Sequence, residues 1–148
     1  MQTENYQPKK AVATISNAMD VGDPSNFVRI LELFHHQLGD LKRIFSSYSI
    51  NDERTKAAIK EVYTNYQYLP DPHGAVGYIA LRNYLAANPG TKGMFLETAH
   101  PVKFYDVVEP IIREKVPVPA SVAAILDNKK QATRMGTGYA DFKEYLMA

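Results

Sequence analysis

The chain has 148 residues, 45% of them hydrophobic, and a formal net charge of +1. This length suits a single domain, and so small a charge gives no electrostatic reason to expect binding to nucleic acid or to an anionic membrane. The absence of cysteine excludes disulfides and thiolate chemistry, and no stretch is apolar for long enough to span a bilayer, so we expect a cytoplasmic protein.

In the first half of the chain, predicted strands alternate with predicted helices. Strands are predicted over 11–15 and 44–49, and a helix with apolar residues at helical spacing is predicted from Phe27. Asn51 is placed to cap a further helix, because the acidic residues that follow it suit the positive end of a helix. The buried stripe of that helix is predicted to contain Ile59, Val62, Tyr63 and Tyr66.

The second half continues this alternation. A strand over 68–70 precedes an apolar helix that we expect to be covered on both faces, and a strand over 94–96 precedes a helix that begins near Pro101. Residues 116–119 are predicted to form an extended linker, followed by short helices. Strands that alternate with helices are typical of βαβ units, so the predicted fold class is α/β, with a small, mainly parallel sheet flanked by helices.

Polar residues follow the predicted strands, and ligands of α/β folds bind where the strands end. Thr98 and His100 follow the strand over 94–96, and either one could instead cap the helix behind them, which is the simpler interpretation. His73 follows the strand over 68–70, but no third ligand accompanies these two histidines, and the other two are adjacent on a helix and diverge. We therefore predict no metal site.

Three motifs in the sequence resemble motifs of one enzyme family. They occur in the family's order and at similar separations, and together they extend over most of the chain. The family is that of the threonine synthases, and the three motifs are SNAMDVGDPSNFVR at 16–29, DPHGAVGY at 71–78 and TAHPVKF at 98–104.

The resemblance implies a pyridoxal 5'-phosphate (PLP) enzyme of fold type II, the architecture of the tryptophan synthase β subunit. Threonine synthases are lyases of amino-acid biosynthesis, and they convert O-phospho-L-homoserine and water into L-threonine and phosphate. The family's Schiff-base lysine and phosphate-binding loop lie upstream of the three motifs and have no counterpart here. Residues 1–148 are therefore expected to be a single C-terminal segment of such an enzyme, without the catalytic lysine and inactive alone.

The resemblance also implies roles for individual residues. Thr98 takes the place beside the pyridine nitrogen of PLP, where a neutral hydroxyl does not enforce protonation of the ring as an Asp would. Asp20, Asn26 and Arg29 lie in the motif that we place near the substrate, and a guanidinium grips a phosphate or carboxylate with two hydrogen bonds. Alternatively, Asp20 and Asn26 only cap turns and Arg29 is solvated, and Asp71 is interpreted as fixing its own turn.

Two other functions are open at this point. A different fold type II PLP enzyme, acting on another amino acid, would share most of these features. A non-catalytic α/β domain that binds small molecules would need no upstream catalytic region. A lysine-bearing strand and a Gly/Asn-rich phosphate loop encoded upstream would favour an enzyme, whereas the oligomeric state is not indicated by the sequence.

Overall fold

The computed structural model describes residues 6–18 and 21–148. The chain divides into two compact units, one that extends to Val116 and one that begins at Pro117. The elements of the described residues are α1 (Phe27–Leu33), α2 (Leu38–Ile44), α3 (Asp52–Tyr66), α4 (Pro72–Ala87), a 3-10 helix (Pro101–Phe104), α5 (Tyr105–Ile112), α6 (Ala120–Ala123) and α7 (Tyr139–Met147).

The core of the first unit lies where α3 packs against α4 and α5, and α5 in turn packs against the 3-10 helix. Ile59 and Val108 are completely buried there. Apolar side chains three and four residues apart lie on one face of a helix, which is how these short helices bury a common surface. The buried apolar residues are Ala58, Ile59, Val62, Ala75, Ile79, Val102, Phe104, Val108 and Val116.

Helix α3 begins and ends as its local sequence dictates. The Asn51 side chain accepts a hydrogen bond of 3.0 Å from the backbone N–H of Arg54, which confirms the predicted N-cap. Gln67 ends the helix in the left-handed region, with φ of 54°. The predicted buried stripe is correct for Ile59 and Val62 but wrong for Tyr66, whose side chain is 64% exposed.

Replacement of the α3 cap gives a first test of this local account. Asn51→Ala is expected to lower the free energy of unfolding by about 1 kcal/mol, because one N–H of the first turn loses its partner. Asn26→Ala is the matched control, since Asn26 occupies the N-cap position of α1 but its side chain makes no capping hydrogen bond. Urea unfolding followed by circular dichroism measures both variants, and equal effects would contradict the capping role of Asn51.

The predicted α/β fold class is wrong for the part of the chain that the structure describes. None of the predicted strands, over 11–15, 44–49, 68–70 and 94–96, forms a strand, and the described residues contain helices but no sheet. A β-strand exists only when its backbone groups pair with a neighbouring strand, and pairing of that kind is not a property of the local sequence.

The segment from Met94 to Thr98 nevertheless shows the side-chain pattern of a strand. Met94 and Leu96 are 85% and 76% exposed and Thr98 is also exposed, whereas Phe95 and Glu97 between them are partly buried. This alternation has the period of two that is typical of β structure. No backbone–backbone hydrogen bond joins residues 93–99 to the rest of the described chain. The segment therefore has the alternating side-chain exposure of a strand, but its backbone does not pair with another strand among the described residues.

The second unit contains α6 and α7. The predicted last helix is confirmed, although its apolar residues Phe142, Tyr145 and Leu146 are all exposed. The Thr133 hydroxyl lies 3.4 Å from the Tyr145 hydroxyl, which links the loop before α7 to the helix. Among the helices of the described residues, none has the length and apolar character needed to cross a membrane.

Candidate functional site

The candidate site begins at the N-terminus of α4, where Asp71 is the N-cap residue and is completely buried. Its Oδ1 accepts two hydrogen bonds from His73, one of 2.8 Å from the backbone N–H and one of 2.9 Å from Nδ1. The interpretation that Asp71 fixes its own turn therefore agrees with the structure. Because Oδ1 has both partners, the other carboxylate oxygen is left for a different group.

That group is Glu97. Its carboxyl lies directly over the backbone of Gly74, where an added Cβ would collide with it. The Asp71 and Glu97 carboxyls lie close enough that each shifts the pKa of the other, raising that of Glu97 and lowering that of Asp71. Asp71 Oδ2 and Glu97 Oε1 are both buried, and neither has a hydrogen-bond partner in the part of the chain that the structure describes. Two carboxylates only accept hydrogen bonds, so the contact requires one proton between them.

The surroundings determine which carboxyl carries the proton. Burial first, and then the contact with the Asp71 carboxyl and its negative charge, together raise the pKa of Glu97 to about 7, and the Asp71 backbone opposes them only in part. Burial also acts to raise the pKa of Asp71, but hydrogen bonds from Glu97 and His73 outweigh it and hold that pKa below its usual range. The proton therefore resides on Glu97, and Asp71 accepts.

The two motifs around this pair pack against each other. The His73 ring contacts the Phe104 ring edge-on with a centroid separation of 5.3 Å, and Tyr78 contacts Phe95 at 6.0 Å. Burial and the neighbouring carboxyls, Glu97 before Asp71, raise the pKa of the Tyr68 hydroxyl. The DPHG and TAHPVKF motifs, which we expected to meet at a sheet edge, thus meet through side-chain packing.

Of the two residues predicted as alternative caps, Thr98 and His100, the structure shows His100 in that role. His100 caps the 3-10 helix, since its Nδ1 accepts a hydrogen bond of 3.1 Å from the backbone N–H of Val102. The Thr98 side chain is exposed, and its hydroxyl makes no hydrogen bond within the described part of the chain. The hydroxyl next to the buried carboxyl pair is therefore available to a ligand.

The residues predicted to lie near the substrate are less constrained. Asp20 lies outside the described residues. Asn26 and Arg29 are exposed at the start of α1, and Arg29 pairs with no carboxylate in the ranges that the structure describes. No hydrogen bond or ion pair there joins either side chain to the Thr98 turn. The residue directly before their motif is tied to α3, because the Ile15 N–H donates to Asp52 Oδ1 over 3.3 Å.

Glu97 is the site residue that sequence reasoning missed. It lies between Leu96 and Thr98 in the motif that was singled out, but as a charged residue after an apolar run it was passed over. The signal was the period of two, since Glu97 must point to the same side as Phe95. An acidic side chain on the inward face of a strand-like segment is unusual, because a buried carboxyl is costly without a partner.

Comparison with known proteins shows which enzymes the chain is similar to. Residues 74–146 match the family model described as "Threonine synthase, C-terminal". The resemblance seen in the three motifs is confirmed, and the chain is a homologue of the C-terminal region of the threonine synthases. Over 96% of its length it is 37% identical to the threonine synthases of Escherichia coli K12 and of Buchnera aphidicola from Acyrthosiphon pisum.

Solved structures agree with the sequence matches. The crystal structure of threonine synthase from E. coli superposes with a TM-score of 0.78 at 37% identity, over 97% of this chain and 32% of that one. PLP-bound threonine synthase from Brucella melitensis gives a TM-score of 0.61 at 24% identity, which shows the fold alone. The chain spans about a third of the length of the curated relatives it matches, 32% of each of the two named above.

Proposed function

We propose that residues 1–148 act as the C-terminal segment of a threonine synthase, a cytoplasmic PLP-dependent lyase that makes L-threonine and phosphate from O-phospho-L-homoserine and water. The observation that carries the proposal is the Thr98 turn. An exposed hydroxyl without a hydrogen-bond partner among the described residues lies beside a buried carboxyl pair, within a motif that resembles one of the threonine synthases. The identity to the E. coli enzyme extends over nearly the whole chain and supports the same function.

The residues of this turn fit one edge of PLP. When bound, PLP supplies the electron sink for the reaction. Thr98 would hold its pyridine nitrogen through one hydrogen bond, and the proton on Glu97 keeps a full negative charge away from that nitrogen. Both features favour a neutral ring. Lys103 is exposed on the 3-10 helix, and we assign it no covalent role toward PLP.

The remaining residues of the proposed site come partly from this chain and partly from the upstream region of the enzyme. The covalent anchor for PLP and the loop that cradles its phosphate would come from the upstream region of the enzyme. Arg29, with Asn26 and Asp20, would bind the phosphate or carboxylate of the substrate. In support of this role, the Arg29 guanidinium is exposed and is not neutralised by a carboxylate among the described residues.

The test begins with the gene. Sequencing upstream of Met1 should reveal a lysine-bearing strand and a Gly/Asn-rich phosphate loop in the same reading frame. The complete product is then assayed for phosphate release from O-phospho-L-homoserine, with O-phospho-L-serine as the control substrate. Release from both substrates alike would favour another PLP enzyme, and a verified reading frame that begins at Met1 would favour a non-catalytic binding domain.

In the complete enzyme, Thr98→Val is expected to lower kcat roughly tenfold to hundredfold. The substitution keeps the shape of the side chain but removes one hydrogen bond to the cofactor ring, which is worth about 1–3 kcal/mol in a water-excluded site. Thr98→Ser restores the hydroxyl and is the matched control. Steady-state phosphate release measures all three proteins, and full activity of the valine variant would leave Thr98 as a surface residue.

A further inference from the structure

We propose that Glu97 and Asp71, sharing one proton, form a clasp that fastens the Thr98 turn to the N-terminus of α4, so that Glu97 is a positioning residue for the Thr98 hydroxyl. The clasp itself depends only on the geometry of this chain. Its value for catalysis rests on the proposed function, because that function assigns Thr98 to the cofactor.

Two buried oxygens and the glycine beside them support the contact. Glu97 Oε1 and Asp71 Oδ2 are buried, and neither has a hydrogen-bond partner in the described residues. A buried carboxyl oxygen without a partner is costly, whereas one proton between the two oxygens satisfies both. Gly74 permits the approach, since any larger residue would place its Cβ inside the Glu97 carboxyl. The sequence thus provides space for this contact at the first turn of α4.

The clasp is the main polar attachment of the segment that carries Thr98. Met94, Leu96 and Thr98 are exposed, whereas Phe95 packs on Tyr78 and the Glu97 carboxyl lies over Gly74, so these two side chains face α4. Because Glu97 is bonded directly to Thr98 along the chain, fixing its carboxyl fixes the position of the hydroxyl next to it. The other end of the turn is held by the His100 cap.

The titratable groups that face Glu97 come from two places. Asp71 and His73 lie at the start of α4, and Tyr68 lies in the segment before it. His73 donates to Asp71, which keeps Asp71 in the accepting form. No Lys or Arg of the described residues forms an ion pair with Glu97 or Asp71. Loss of the shared proton therefore leaves two adjacent carboxylates that repel each other.

The pH dependence follows from the two shifted groups. Glu97 has a folded pKa of about 7 against a usual value of 4.5, so its proton is bound more tightly in the folded chain. Its contribution to stability is complete below pH 4.5 and is lost as the pH rises to about 7, after which it is constant. Asp71 has a lowered pKa, so its contribution is lost as the pH falls below its usual value of 3.8. The clasp is therefore closed at mildly acidic pH and open above neutrality.

The experiment uses the whole 148-residue chain without PLP, so its outcome does not depend on the proposed enzyme activity. NMR with 13C-labelled carboxyls follows the titration of Glu97, and the order parameter of the Thr98 methyl group reports the mobility of the turn. In the wild type we expect a Glu97 step near pH 7 that coincides with increased motion of Thr98 above it.

Three variants sharpen the test. Glu97→Gln keeps a hydrogen-bond donor toward Asp71 but cannot ionise, so Thr98 is expected to stay ordered at all pH values. Gly74→Ala displaces the Glu97 carboxyl, so Thr98 is expected to be mobile at all pH values. Glu53→Gln removes an exposed carboxyl from the first turn of α3 and should leave the wild-type behaviour unchanged.

A Glu97 carboxyl that titrates like an exposed glutamate, or a Thr98 methyl group whose order does not follow the Glu97 step, would overturn the clasp. The wild-type measurement alone decides this, even if a variant fails to fold. A confirmed clasp in a complete protein without threonine synthase activity would reject the proposed function and leave the clasp in place. Conversely, an active enzyme without the Glu97 step would keep the function and reject the clasp.

Discussion

The isolated 148-residue chain, mixed with PLP and O-phospho-L-homoserine, is expected to release no phosphate above the uncatalysed background. Holding reactive groups in place contributes about 7–11 kcal/mol to catalysis, and the proposed function assigns the lysine and the phosphate cradle that would hold PLP to an upstream region. Addition of the upstream region as a separate polypeptide is the matched control and should raise the rate if the two parts associate.

The same sample gives a second readout. Borohydride reduction followed by mass spectrometry is expected to show sparse PLP labelling spread over several surface lysines. Stoichiometric labelling of Lys103 alone, together with phosphate release, would contradict the inference, because it would place a complete catalytic centre within this chain.

Ile59→Ala is expected to lower the free energy of unfolding of the first unit by about 2–5 kcal/mol. Ile59 is completely buried where α3 packs on its neighbours, so the substitution removes apolar contacts and leaves a cavity. A loss of this size is a large fraction of the stability of a small domain, which is only about 5–15 kcal/mol.

Ile44→Ala is the matched control for that prediction, since Ile44 is 71% exposed at the end of α2. The same atoms are deleted there without a cavity, so the effect should stay within roughly 0.5 kcal/mol. Thermal and urea unfolding measure both variants. A similar loss for the two would mean that the core is not centred on α3.

The helices were predictable because their determinants are local. Asn51 caps α3 through a contact three residues away, and Pro101 begins the 3-10 helix that leads into α5, as its missing N–H allows. Of the apolar stripe predicted for α3, Ile59 and Val62 lie in the core, whereas Tyr66 is exposed. Such signals need no knowledge of the rest of the protein.

The sheet was not predictable, because its determinants are not local. The segment around Phe95 has the composition and the alternating exposure of a strand, but a ladder requires a second strand at the right distance. The described residues contain none. The sequence therefore predicted the local preference of this segment correctly. The parallel sheet predicted from the alternation of strands and helices was wrong.

The site was predicted only in part, because its motifs are local but the contact between its two carboxyls is not. The motifs identified the Thr98 turn, and its exposed hydroxyl agrees with the role assigned by resemblance, which stays a prediction. The contact between Asp71 and Glu97 joins residues far apart in the sequence, and neither carboxylate indicates by itself that it shares a proton with the other. Only the packing of the two motifs creates the low polarity that makes such a pair form.

The unpaired segment around Leu96 has a consequence for the handling of this protein. Natural edge strands are protected against self-association by charged residues, prolines or bulges. Between Lys92 and Glu97 the segment has no charged residue, and its backbone groups, which pair with no other backbone group in the described ranges, are flanked by exposed Met94 and Leu96. Two copies of the chain can add to each other edge to edge there, so solubility should fall steeply with concentration, and dilution should matter more than salt.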